Sequence, residues 1–266
     1  MELCRSVPRD KVDYFVNQVL SYARRVASML LQRTSFDLVI NLDESVHHDI
    51  KGAVMRQFVV GEYVSLSHGN LMLQDVLKLA KKLADMLTKT TGRIAVVLTG
   101  HQFLQTLCLS VAVAVVGQAY ALAWLVGESR YVVERIEKQR IRYSLNPKEV
   151  DSDVIIVPTY ASSKMLSKLQ SLGEYEIRIV SYDIKDEESW RMALVQSLEF
   201  ALGQETPRIW IECPGGIPAV IVAHLVEGLQ EDVEIFFSFQ TNHVYSMKIS
   251  HRNLRTLTFD CISRII

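Results

Sequence analysis

Four short stretches hold the residue types that could grip an anion or move a proton. They are Ser67-His68-Gly69-Asn70, Thr99-Gly100-His101-Gln102, Pro158-Thr159-Tyr160-Ala161-Ser162-Ser163-Lys164 and Pro214-Gly215-Gly216. A glycine at the end of a strand lets the backbone approach a ligand, and the free N–H groups of a following helix favour phosphate. The side chains of Ser67, Thr99, Gln102, Thr159, Ser162 and Ser163 add neutral hydrogen-bonding groups. His68 and His101 can exchange protons near neutral pH, and Lys164 can meet a phosphate or steady a developing negative charge. Simpler roles exist for each: Gly69 as a tight turn, the histidines as hydrogen-bonded core residues, Ser162 as a helix N-cap and Lys164 as a solvated lysine. No stretch reads G-x-G-x-x-G or G-x-x-x-x-G-K-[ST], so neither a dinucleotide cofactor nor a nucleoside triphosphate is indicated, and no cofactor is expected. His47-His48-Asp49 lacks a third spaced ligand, and Cys4, Cys108, Cys213 and Cys261 form no C-x-x-C pair. Neither a metal site nor a disulfide framework is therefore expected.

These turns need elements to position them, and hydrophobic periodicity supplies a series. Residues 10–32 place apolar side chains at Val12, Phe15, Val16, Val19, Ala23, Val26 and Leu30, the spacing of an amphipathic helix with Asp10 as a plausible cap. Strands follow at 36–42, 62–66, 93–98 and 119–126, with helices at 50–58, 71–88 and 103–116. Residues 128–150 are rich in Arg, Lys and Glu and contain Asn146-Pro147, which reads as a linker. Alternation then resumes: strands at 153–157, 175–181, 208–212 and 233–239, helices at 161–172, 187–202 and 217–229, and a hairpin partner at 243–249. Alternating strands and helices imply parallel sheets with right-handed crossovers. The runs Arg93-Ile-Ala-Val-Val-Leu-Thr-Gly100-His and Arg208-Ile-Trp-Ile-Glu-Cys-Pro-Gly215-Gly occupy the same point of the two series. The sequence thus predicts an α/β chain of two tandem Rossmann-like units. An N-terminal helix occupies 1–33, the first unit with its linker 34–148, the second unit 149–250 and a C-terminal tail 251–266.

Bulk properties narrow the partners. Lys and Arg number 29 against 30 Asp and Glu, so no net field draws in duplex nucleic acid. The nearly uncharged stretch 104–126 is about as long as a membrane span, but Gly117-Gln118 divides it into a buried helix and a buried strand. The first residues lack the order of a signal peptide, and the scattered cysteines suit a reducing cytoplasm.

The run from Arg93 to Val126, a strand, Thr-Gly-His-Gln, an apolar helix and a strand, resembles the signature of CRISPR-associated Rossmann-fold (CARF) sensor domains. That family typically places Thr-Gly-Gly-x-[KR] before an Ala-rich helix. Here Thr99 and Gly100 fit and His101 replaces the second glycine; in the second unit Pro214 replaces the Thr while Gly215 and Gly216 fit. Neither turn is followed by the family's basic residue, a place that Arg130, Lys164 or another residue would have to fill. Thr159, Ser162, Ser163 and Lys164 are similar to the family's polar first-strand loop, and Ser67-His68-Gly69-Asn70 to a Thr-His-Gly-[NR] signature. Two such units in one chain also look like the SAVED sensor domains of bacterial antiviral systems. The resemblance implies a cyclic oligoadenylate second messenger bound in a groove between the units, with the signal passed through the N-terminal helix or the tail to an effector protein, or through the N-terminal helix to a second copy. Two alternatives stay open: a metal-independent ring nuclease with His101 and Lys164 as its catalytic residues, and a non-catalytic scaffold subunit.

Overall fold

A computed structural model describes residues 33–44, 49–69, 71–137, 145, 147–148, 153–159, 173, 175–213, 215–238, 243–259 and 262–264. The first unit runs β1 (Ser35–Asn41), α1 (Ile50–Gln57), β2 (Val59–Ser65), α2 (Leu73–Leu87), β3 (Ile94–Val97), α3 (Gln102–Val116), β4 (Gln118–Leu125) and β5 (Arg130–Glu137). The second contains β6 (Val154–Thr159), β7 (Glu176–Ser181), α4 (Glu187–Leu202), β8 (Arg208–Trp210), α5 (Ile217–Ala223) continued by a π turn (His224–Gly228), β9 (Val233–Ser238) and β10 (Val244–Ile249). The chain then adds α6 (His251–Thr256) and β11 (Ile262–Arg264).

The two sheets have the same plan. The first is ordered β2-β1-β3-β4-β5 and the second β11-β10-β9-β8-β6-β7, read from opposite edges. In each, four parallel strands end in an antiparallel partner, β5 on β4 and β10 on β9. The order reverses beside the first strand of each unit, between β1 and β3 and between β6 and β8. That is where an open parallel sheet leaves a crevice at its carboxyl edge. Two tandem Rossmann-like units are therefore the architecture of the chain.

Amino-acid pattern explains the central elements. β1, β3 and β4 are short apolar runs because helices cover both faces of the first sheet. α3 has no charged residue, and twelve of its side chains, from Phe103 to Ala114, are buried. A helix that is apolar all round must be covered all round. Its own sheet covers one side of α3, and α5, equally buried from Ile217 to Ala223, belongs to the same core on the other. A single apolar core therefore runs through both units, with Phe103 of α3 stacked on Phe237 of β9, ring centroids 4.3 Å apart.

Some expectations need correcting. The charged stretch read as a linker contains β5, an eight-residue edge strand that buries Tyr131, Val132, Glu134 and Ile136. Its Arg and Glu side chains suggested solvent, but Arg130 and Glu134 are spent on ion pairs with the second unit. The tail carries α6, capped by Ser250, and β11 paired with β10. The helix expected at 217–229 changes to π geometry at His224. The amphipathic segment 10–32 and the helix expected at 161–172 lie outside the described residues. Among the described residues no helix is long and apolar enough to cross a membrane.

Gly216 shows how tightly the units meet. It has φ +73°, and a Cβ there would lie 2.6 Å from Leu98 Cδ1 and 3.2 Å from Leu98 Cβ, both in the other unit. Gly216→Ala is therefore expected to destabilise the chain by at least the ~1–2 kcal/mol of a left-handed non-glycine residue. Urea unfolding checks this; an unchanged midpoint would mean that the seam is looser than described.

Candidate functional site

The carboxyl edges of both sheets meet at the seam. In the first unit β3 leads through Leu98 and Thr99 to Gly100, and His101 caps α3. In the second, β8 leads through Glu212 and Cys213 to Gly215, and Gly216 caps α5. Contacts link the two turns: Gly216 lies against Leu98 and Ala123, and His101 bonds to the backbone of Ser238 at the end of β9. The equivalent turns are thus neighbours across one boundary. Leu98 is buried between them, whereas Gly100 and Gly215 keep part of their surface exposed.

Both turns use positive φ, +77° at Gly100, +88° at Gly215 and +73° at Gly216. At the first two, the space a Cβ would take is held by neighbours within the same unit. Asp43 Oδ2 comes within 2.8 Å of it at Gly100, and the Tyr182 hydroxyl within 2.9 Å at Gly215. The carbonyls of this glycine pair are captured in parallel fashion. Gln105 Nε2 donates to the Gly100 carbonyl at 2.9 Å, and Trp190 Nε1 donates to the Gly215 carbonyl at 3.2 Å. Because a trans peptide points its C=O and N–H in opposite directions, each bond also aims the N–H of the next residue, His101 or Gly216. Two unrelated side chains thus set the same peptide in the two units.

The predicted residues play different parts. Thr99 is buried; its hydroxyl donates to Asn41 Oδ1 at 2.6 Å and accepts the Asp43 N–H at 2.9 Å, tying β3 to the loop after β1. His101 accepts the Phe103 N–H on Nδ1 at 3.1 Å and bonds through its ring to the Ser238 backbone. Burial holds the imidazole below its usual value, against a smaller upward pull from Ser238. The Nδ1 lone pair is thus occupied by the Phe103 N–H, and the bond to Ser238 turns the ring toward β9. Gln102 opens α3 and is half-exposed.

Ser67 is buried and its hydroxyl accepts the N–H of Gly69 (φ +98°) at 3.2 Å, while exposed His68 pairs with Glu44 at 3.1 Å. This Ser-His-Gly turn and the Thr99 loop converge on one segment, residues 43–44, because Glu44 N–H also bonds the Ser67 carbonyl at 3.0 Å. Thr159 is buried at the end of β6 and bonds to the Cys213 thiol, which burial pushes far up. Arg130 is committed to Glu128 and Glu187. Ser162, Ser163 and Lys164, with His47 and His48, lie outside the described residues.

Sequence reasoning missed Gln105, Trp190, Glu212 and Ser238. Glu212 accepts the Ser238 hydroxyl at 2.6 Å beside the second turn. With Asp43 near the first turn, this places carboxylates at both and no Lys or Arg side chain among the described turn residues. Any phosphate here must be held by amide hydrogens and helix dipoles, with no local counter-charge from those residues.

No family model matches the chain, and no curated protein does. Solved structures do. The Acinetobacter baumannii Cap4 SAVED/CARF-domain containing receptor with the cyclic trinucleotide 3′3′3′-cAAA is similar at 13% identity and a TM-score of 0.42, over 75% of this chain and 48% of that one. The same receptor with 2′3′3′-cAAA is similar at 11% identity and a TM-score of 0.44, over 77% and 49%. The chain spans about half the length of these structures.

The His101 geometry carries a signed pH dependence. Its folded pKa is depressed, so the stability it contributes is full above the unfolded value of about 6.5 and is lost as pH falls through the folded value. Protonating Nδ1 removes the acceptor for Phe103. His101→Asn, a non-titrating residue suited to N-caps, is expected to flatten the loss of thermal stability below about pH 6.5. Equal pH slopes in both proteins would contradict the assigned bonds. Trp190→Phe should cost about 1–3 kcal/mol in urea unfolding, since it strands the Gly215 carbonyl; a neutral substitution would show that this bond does not hold the turn.

Proposed function

We propose that the chain is a sensor that binds a cyclic oligoadenylate at the seam between its two units and passes the signal to a partner. The observation that carries this reading is the pairing of two equivalent glycine turns across one boundary. Each opens a helix, and each has its glycine carbonyl fixed by a side-chain donor. A ring that repeats the same nucleotide presents like phosphates at regular intervals, and a duplicated set of amide donors is the complementary surface. The amide-only character of the described turns suits a diester, which brings one negative charge per phosphate. A terminal triphosphate would ask for cations that the described turn residues do not provide.

Sensing is favoured over ring cleavage by the state of His101. In-line attack by a ribose 2′-hydroxyl gains from a group that accepts its proton, and His101 has its Nδ1 taken by the Phe103 N–H and its ring bonded to the Ser238 backbone. His101 is then a staple between the units, and Gln102 and the exposed sides of Gly100 and Gly215 would meet the ligand. Antiviral signalling is the setting the sequence motifs imply.

Incubation with cyclic tri-, tetra- and hexa-adenylate, followed by melting and by chromatography of the nucleotide, tests the reading. One ring is expected to raise the melting temperature and to be recovered intact. Linear products that disappear in Lys164→Ala would establish the nuclease instead, and no shift with any ring would leave the scaffold.

A further inference from the structure

The largest set of charges in the described chain lies at the seam, away from the glycine turns. The β4–β5 turn of the first unit rests on the start of α4 in the second, where Gly127 lies so close to Lys185 that an added Cβ would be 2.4 Å from the Lys185 Cβ. From this turn Glu128 Oε1 accepts the Glu187 N–H at 3.2 Å, and Arg130 bonds to both Glu128 and Glu187. One helical turn on, Arg191 donates to Glu187 at 2.9 Å and to Glu134 of β5 at 3.0 Å. Glu134 is buried and also meets His224 of the π turn at 3.2 Å. The chain Arg130–Glu187–Arg191–Glu134–His224 therefore crosses the unit boundary three times.

Its position along α4 matters. Glu187 and Arg191 flank Trp190, the side chain whose indole N–H holds the Gly215 carbonyl. α4 is thus fastened to the first unit on one face while it sets the second turn with another. We infer that Glu187 and Arg191 are positioning residues, which act through Trp190 to fix the second glycine turn at one distance and angle from the first. They touch no ligand in this scheme. The inference rests on the sensor reading, since a ring can engage both turns only if their separation matches it. Burial opposes ionisation of Glu187, yet its bonds from Arg130 and Arg191 outweigh this and hold its carboxyl below the usual range, so the clasp is charged at neutral pH.

Hydrogen–deuterium exchange on the whole chain, beside ring affinity by calorimetry, tests this with Glu187→Gln, Arg130→Gln and the double variant. Arg130 is partly exposed, so its variant keeps the test usable if a substitution on α4 prevents folding. Faster exchange over 215–220 is expected in each variant, with affinity for the preferred ring about tenfold weaker and the double variant no worse than the singles. Exchange that rises only over 126–131, or affinity and exchange that match the wild type, would overturn the inference. A wild type that binds no ring would overturn the sensor reading alone, and exchange over 215–220 would still decide whether the clasp sets the turn.

Discussion

The uncharged helix α3 cannot be left facing water, and the rest of the arrangement follows from that. Each methylene of its buried side chains is worth about 0.8 kcal/mol out of water, so exposing one face would cost much of a domain's net stability. The sheet of the first unit covers one side, and the second unit supplies α5 for the other. α5 is buried for the same reason. Two Rossmann-like units that would each need a partner thus satisfy one another within one chain. The carboxyl edges of their sheets are brought to a shared boundary as a result.

Polar detail then fixes what packing only approximates. Gly216 lets Leu98 sit against the second turn, His101 bonds to the end of β9, and alternating carboxylates and guanidinium groups join α4 to β5. Exposed ion pairs contribute little individually. Here they are linked, and one member, Glu134, is buried, so removing a single partner leaves a charge without its compensation.

The alternation of elements was legible because parallel strands and their crossover helices leave strong periodic signals, and α4 appears with the bounds that its periodicity predicts. The glycine turns were legible as turns. Their partners were not, since Gln105, Trp190 and Ser238 act through bonds that spacing does not reveal. β5 was hidden for a related reason. Arg130, Glu134 and Arg135 in a run of eight resemble a solvated linker until the second unit supplies counter-charges for Arg130 and Glu134. His101 stood out in the sequence as a candidate proton-transfer group, whereas its part as N-cap was hidden, because a histidine N-cap is uncommon and its second partner lies far along the chain. The π turn at His224 carries no sequence signal at all.

In the proposed sensor two equivalent turns serve one ligand at one seam. Amide NMR of the ¹⁵N-labelled chain during titration with the ring that raises its melting temperature examines both turns at once. The Gly100 and Gly215 amide signals should move together and saturate at one ring per chain. Movement of only one of them, or saturation at two rings, would mean that the turns act separately, and the shared site would be wrong.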